Sequence, residues 1–339
     1  MRPVAVDNPA NRFSTREVAW DGEVPEQDLE IIEDHARSIL SKNDSPDVPF
    51  TYSVNAYRGC LHACAYCYAR PTHEYLGYGA GSDFDRKIIV KPRAAELLRE
   101  AFDKKSWRGD AVVMSGVTDC YQPVEARYEL TRQCLEVCLE YKNPVGIITK
   151  SPLIERDIDL LVALAAVTDV HVAISVGTWN EAHARAIEPY VATPARRMKT
   201  IERLAAAGLT PTVMVAPLIP GLSEEDIPKV LSAAKRAGAA SAGRTVLRLP
   251  GAVRGVFASR IKASLPLRAD KIIARTRELY GGKDYDSTFG VRGRGEGTMA
   301  DVTARLFDAT AERLGFQRRM AGEVRSTFER PKRGQLDLF

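Results

Sequence analysis

Asn55-Ala-Tyr-Arg-Gly-Cys60-Leu-His-Ala-Cys64-Ala-Tyr66-Cys67-Tyr-Ala-Arg70 is the stretch that decides how the rest of the chain is read. Its cysteines are spaced C-x3-C-x2-C, close enough to converge on one soft metal centre if the backbone runs as a loop. An iron–sulfur cubane needs one thiolate per iron for full ligation, so a local group of three leaves one iron for a non-protein ligand. Zinc is the rival, because His62 or His73 would complete a tetrahedral set. The spacing places iron–sulfur ahead of zinc without removing it.

Composition narrows the setting. With 339 residues and 45% hydrophobic content, the chain can bury one large domain or one domain plus an appendage. Six cysteines are too few for a disulfide scaffold, and their clustering suits a reducing compartment. The balance of 48 basic against 44 acidic residues names no partner. The start has no apolar h-region and no stretch approaches the roughly 20 apolar residues that span a bilayer, so a cytoplasmic protein without membrane attachment is expected.

Outward from the cysteines, short β-branched runs recur at 52–57, 111–116, 145–149, 170–176, 212–216 and 245–249. Amphipathic stretches suited to helices lie between them, at 92–103, 130–141, 153–165, 194–207 and 224–237. Thr193-Pro194 reads as an N-cap followed by a first-turn proline, and Gly208 and Gly238 stand where helices end. Alternating strand and helix implies parallel pairing with right-handed crossovers. Six units fall short of a closed eight-unit barrel. The expectation is therefore an α/β fold, a partial (β/α)6 TIM-type barrel over 48–250, with a doubly wound sheet as the structural alternative. An N-terminal extension covers 1–47, with a helical-looking run at 26–40. A mainly helical region at 251–325 covers the open side of the barrel and includes a Gly-rich turn at 290–297 and a helix at 299–314. A flexible tail is expected at 326–339.

In β/α barrels the chemistry sits at the carboxyl ends of the strands. The residues following each run include the cysteine loop, Ser115-Gly116-Val117-Thr118-Asp119, Lys150, Ser175, Pro217 and Arg248. Nearly every distinctive polar or turn-forming group thus falls on one rim.

Read together, the cysteine stretch, Ser115-Gly-Val-Thr-Asp-Cys-Tyr-Gln-Pro-Val-Glu125, Ile148-Thr-Lys-Ser151, Glu188-Pro189 with Arg196-Arg197, and Ala216-Pro-Leu-Ile-Pro-Gly221 resemble the spore photoproduct lyase-like group of radical S-adenosylmethionine (SAM) proteins. The likeness extends over most of the chain. It implies a [4Fe–4S] cluster on Cys60, Cys64 and Cys67, with SAM on the open iron. It also implies SAM contacts from Ser115, Gly116, Thr118, Asp119, Lys150 and Ser175, with Tyr66 and Pro217 completing the cofactor set. Lys150 and Ser175 suit the SAM carboxylate, the 115–119 turn its amine, and the turn at Pro217 its adenine. A reduced cluster would cleave SAM for hydrogen abstraction, with one electron from a flavodoxin or ferredoxin. The substrate implied is a nucleic-acid lesion or base; a small molecule or protein is the alternative, and a zinc-binding, non-enzymatic DNA-associated protein a further one.

One departure limits the carry-over. Spore photoproduct lyases place a hydrogen-donor cysteine where this chain has Gly116. Cys120, four residues on, is the candidate replacement, with a small buried filler as the alternative. Cys134 and Cys138, at i, i+4 on a predicted helix, read as buried packing.

The last five residues, Gln335-Leu336-Asp337-Leu338-Phe339, resemble the bacterial sliding-clamp-binding motif, in which a glutamine amide and a Leu-Phe pair enter an apolar pocket. Arginines 244, 248, 254, 260, 292 and 294 are candidate phosphate contacts if the partner is nucleic acid.

Overall fold

Six β-branched runs pair side by side in the order in which they occur along the chain. The computed structural model describes residues 5–13, 28–48, 50–317 and 326–332. Its strands are β1 (Glu30–Glu33), β2 (Leu40–Lys42), β3 (Tyr52–Val54), β4 (Tyr57–Arg58), β5 (Lys87–Val90), β6 (Val112–Met114), β7 (Val145–Thr149), β8 (Val170–Ser175), β9 (Thr212–Leu218) and β10 (Ser241–Val246). The large sheet has the order β10-β9-β8-β7-β6-β3-β2. From β3 to β10 every pairing is parallel, and only β2 lies antiparallel, on β3. A side sheet pairs β1 and β4 with β5.

Helices fill the crossovers: α1 (Ser82–Arg86) and α2 (Ala94–Asp103) before β6, α3 (Glu125–Tyr128) and α4 (Leu130–Glu140) before β7, and α5 (Ile158–Ala165) before β8. Next come α6 (Glu181–Ile187) and α7 (Pro194–Ala206) before β9, then α8 (Ile227–Arg236) before β10. Sequential parallel strands with helical crossovers, ending on an unclosed β10 edge, make a partial TIM-type barrel. Parallel strands covered on both faces are apolar throughout. Accordingly Val112, Ile147, Val213 and Val215 are fully buried. Thr193 caps α7 by accepting from the Arg196 amide at 3.2 Å, and Gly208 and Gly238 take the positive φ values (+87° and +90°) that end α7 and α8.

Beyond residue 250 lie α9 (Val253–Ser264), α10 (Pro266–Glu278) and α11 (Gly297–Arg313). The Val246 amide donates to Gly293 O at 3.2 Å, and Ser241 bridges to Gln317, so this region covers the free edge of β10.

Four local expectations are corrected. The run at 26–40 is no helix in its described part: Ile31 and Ile32 pair in register with Ile88 and Ile89, because backbone bonds to a waiting edge override a weak helical pattern. The expected strand at 52–57 breaks at Asn55, whose side chain is spent on another loop. The last barrel strand begins at Ser241 rather than 245, held in register from Ser241↔Thr212 to Arg244↔Val215 despite Gly243 in its middle. Residues 326–332 are not a free tail. Phe328 stacks on Tyr141 (centroids 6.0 Å) and meets Phe102 edge-on, while Arg330 donates to the carbonyls of Phe102, Lys104 and Trp107. These partners lie before β6 and β7, so the segment docks at the strand N-termini, opposite the cysteine rim. Residues 335–339 lie outside the described residues.

Candidate active site

The cysteine loop follows β4 and owes its path to buried hydrogen bonds rather than to regular structure. Gly59 takes φ +76°, and a Cβ there would meet Lys87 O at 2.8 Å, so only glycine lets the chain turn against β5. Ala63 also takes a left-handed φ of +53°. Two buried arginines hold the loop from behind. Arg70, 0% exposed, donates to Cys64 O at 2.8 Å and to Asp85 at 2.7 Å. Arg260, from α9, donates to Ala63 O at 2.6 Å and to the other Asp85 oxygen. Arg260 is therefore a clamp on this loop and not a phosphate contact.

Cys60 and Cys64 are buried and Cys67 half-buried, and all three are free thiols. Burial pushes the Cys64 thiol well above its ordinary value and Cys67 up to about 11, so a metal would have to displace their protons. Both histidines proposed as zinc partners have polar partners in the protein. His73 Nε2 lies 2.9 Å from Lys87 O, and His62 Nδ1 lies 3.4 Å from Asp119. Burial opposes a charge on His62, yet the Cys60 sulfur and the Asp119 carboxylate outweigh it and raise its pKa to about 10. Among the described residues no three Cys, His, Asp or Glu side chains converge as they would around a single metal ion. A donor set of three thiols fits an iron–sulfur cluster better than tetrahedral zinc.

Around Tyr66 the structure assembles groups from three more strand ends. Its hydroxyl donates to Glu188, which is paired with Arg197; the three are 7%, 2% and 1% exposed. Arg197 also donates to Ser175 O at 2.7 Å, tying the end of β8 to the cysteine loop. Lys150 Nζ sits 5.8 Å from the Tyr66 ring centroid. Burial alone would lower the Lys150 pKa, but Cys64, Glu188 and Asp119 hold it above its ordinary value. The ammonium is thus kept charged on the rim. Ser175 is buried at the end of the neighbouring strand β8. Pro217 lies within β9, where its carbonyl would be 3.0 Å from a Cβ at Gly177.

The 115–119 turn takes its left-handed residue at Ser115 (φ +75°). The Ser115 hydroxyl donates to Thr118 O and accepts from Thr118 N at 3.1 Å, while Thr118 Oγ1 donates to Gly59 O at 2.5 Å. Asp119 accepts from Thr149 Oγ1 at 2.6 Å, Lys150 N at 2.9 Å and Tyr121 N at 2.9 Å. Burial would raise its pKa, but the His62 charge and these bonds hold it well below the usual carboxylate range. These side chains are spent on fastening the rim.

Cys120, the candidate radical partner, is 4% exposed and packs in the core beneath the rim, against Cys134 and Met114. Burial raises its thiol pKa well above the ordinary value. Cys134 and Cys138 are fully buried.

Three positioning residues carried no signal of their own in sequence. Asn55 accepts from the amides of Gly116 (2.7 Å) and Val117 (3.2 Å). Tyr68 donates to Gly116 O at 3.0 Å, with the Arg248 guanidinium 5.5 Å from its ring centroid. Gln122 bonds on both sides of Cys60. A polar residue in a loop looks the same whether it meets solvent or a buried amide.

The Radical SAM superfamily profile matches residues 54–234, more than half of the 339-residue chain. The chain belongs to the radical SAM superfamily. It is a radical SAM enzyme, of a family whose cofactors are SAM and an iron–sulfur cluster. A protein of Mycobacterium tuberculosis is 38% identical over 247 residues, covering 72% of each chain. One from Methanocaldococcus jannaschii is 28% identical over 194 residues, 57% of this chain and 70% of that one. Spore photoproduct lyase complexed with dinucleoside spore photoproduct superposes with a TM-score of 0.61 at 15% identity, covering 84% of this chain and 79% of that one. A variant of that enzyme with bound AdoMet and the same dinucleoside gives 0.60 at 15% identity and equal coverage. At such identity the likeness is one of fold, and it agrees with the partial barrel.

Proposed function

We propose that Cys60, Cys64 and Cys67 hold a [4Fe–4S] cluster and that this radical SAM enzyme abstracts hydrogen from a nucleic-acid substrate, a base or lesion in DNA. The observation that carries the assignment is a loop bearing three free thiols beside the strand carboxyl ends, where charged Lys150 follows β7 near the Tyr66 ring and buried Ser175 ends β8. When bound, the cluster would deliver one electron to SAM, which is cleaved to methionine and a 5′-deoxyadenosyl radical. Lys150 pairs with the SAM carboxylate, helped by the Ser175 hydroxyl. The backbone of the 115–119 turn accepts from the SAM amine, with Ser115, Thr118 and Asp119 setting its shape. Pro217 edges the adenine. Tyr66, fixed by Glu188, forms the floor beneath Lys150. The electron comes from a flavodoxin or ferredoxin in the reducing cytoplasm.

The nucleic-acid assignment is supported by the fold shared with spore photoproduct lyase, and Gly116 in place of the donor cysteine separates this enzyme from spore photoproduct repair itself. Residues 335–339 would join it to a sliding clamp at replicating or repaired DNA. The test is deoxyadenosine release by the reconstituted enzyme with and without lesion-bearing DNA. Stimulation by DNA supports the reading; equal release, with stimulation by a small molecule or protein instead, overturns the substrate class.

A further inference from the structure

Cys60 is the cysteine the arginine clamp does not reach. Arg70 and Arg260 hold the carbonyls of Ala63 and Cys64, and the Tyr66–Glu188 bond fixes the residue before Cys67. On the Cys60 side the loop is held by Gln122. Its Nε2 donates to Gly59 O at 2.9 Å and to Thr118 Oγ1 at 2.8 Å, and its Oε1 accepts from Leu61 N at 3.0 Å. Gln122 is 0% exposed, so these bonds are made away from water, where an unmade one is most costly.

We propose that Gln122 is a positioning residue for the cluster: by bracketing the two peptide groups on either side of Cys60, it fixes the direction in which that thiolate is presented. The proposal rests on the assignment of the cluster to these cysteines. The carboxamide is specified by chemistry. The site asks one side chain to donate to the Gly59 carbonyl and accept from the Leu61 amide at once. An ionised glutamate accepts from Leu61 but cannot donate to Gly59, methionine of similar length offers neither bond, and asparagine is one methylene short. Thr118 backs the arrangement, since its hydroxyl donates to the same Gly59 carbonyl while accepting from Gln122. Partners that orient a metal ligand without touching the metal commonly govern how firmly the metal is held.

The experiment uses the full chain reconstituted anaerobically with iron and sulfide. Iron release to a chelator is followed for wild type, Gln122→Met and Gln122→Glu, at a temperature where circular dichroism shows all three folded. The electron paramagnetic resonance spectrum of each reduced cluster is recorded alongside. Release should quicken roughly 10–100-fold in Gln122→Met and by less in Gln122→Glu, which keeps the Leu61 bond, and the spectrum should change in both. A Gln122→Met protein with wild-type release and spectrum overturns the proposal, since that side chain fills the same space and lacks only the hydrogen bonds. Should Gln122→Met not fold, Thr118→Val gives the second reading: it removes one donor to Gly59 O and should quicken release in the same direction, and unchanged release overturns the proposal. A wild-type chain that takes up no cluster would overturn the assignment to Cys60, Cys64 and Cys67 instead, which keeps the two failures apart.

Discussion

Arg197 reaches from the first turn of α7 into the barrel and pairs with Glu188, and the same carboxylate receives the Tyr66 hydroxyl from within the cysteine loop. At 1% and 2% exposure, neither charge has water to fall back on. Breaking a buried pair by removing one partner costs about 3–5 kcal/mol, because the other charge is left uncompensated. Arg197→Met and Glu188→Ala should each lower stability by that amount in denaturant unfolding. Replacing both charges with apolar side chains should cost clearly less than the sum of the two. A single variant within 1 kcal/mol of wild type would show that the pair does not hold the loop.

The acid limb of stability should depend on Glu155. Burial would raise its pKa, but bonds from Arg196, Thr200 and Arg203 hold it below the ordinary value. A carboxyl whose folded pKa is depressed stabilises the protein above its unfolded pKa, about 4.3, and that contribution is lost as pH falls through the folded value. Glu155→Gln should therefore destabilise by about 1–2 kcal/mol at pH 7 and progressively less toward pH 3. Thermal melts across that range check it, and a deficit that stays constant with pH would contradict the assignment.

Docking of residues 326–332 should be separable from the barrel. Phe328 is half-buried between Phe102, Tyr141 and Gly109. Phe328→Ala should cost about 1–2 kcal/mol, less than the roughly 3–5 for a fully buried phenylalanine. It should also open residues 326–332 to limited proteolysis, while the rate of SAM cleavage, centred at the opposite end of the strands, stays at the wild-type value.

The C-terminal pentapeptide makes its own prediction. Deleting residues 335–339 should abolish binding to a bacterial sliding clamp measured by calorimetry, without changing SAM cleavage in the absence of DNA. Unchanged clamp binding would remove the motif from the account.

How much of this was legible in the sequence follows from the range of the interactions involved. The β-branched runs of β7 and β8 carry their own pattern, and so does the α7 cap at Thr193, because each rests on neighbours a few residues apart. The cysteine spacing likewise announces a three-thiol loop. Glu188 and Arg197 stand out in the chain, but their pairing beneath Tyr66 depends on a fold that brings 66, 188 and 197 together. Asn55 and Gln122 were invisible for the same reason: their partners are 61 to 63 residues away. Ile31 and Ile32 look helical locally and become a strand because β5 offers an edge. Cys120 stands beside the motif in sequence, and its burial in the core, at 4% exposure, becomes legible only once the turn around it is built.

The central claim is that Cys60, Cys64 and Cys67 together build the centre that cleaves SAM. The most direct measurement is 5′-deoxyadenosine release by the anaerobically reconstituted chain with dithionite, read beside its iron–sulfur absorbance. Wild type and Cys120→Ala should release deoxyadenosine and methionine in equal amounts, while Cys60→Ala, Cys64→Ala and Cys67→Ala should each lose both the absorbance and the cleavage. Retention of both by any one of those three variants would contradict the account.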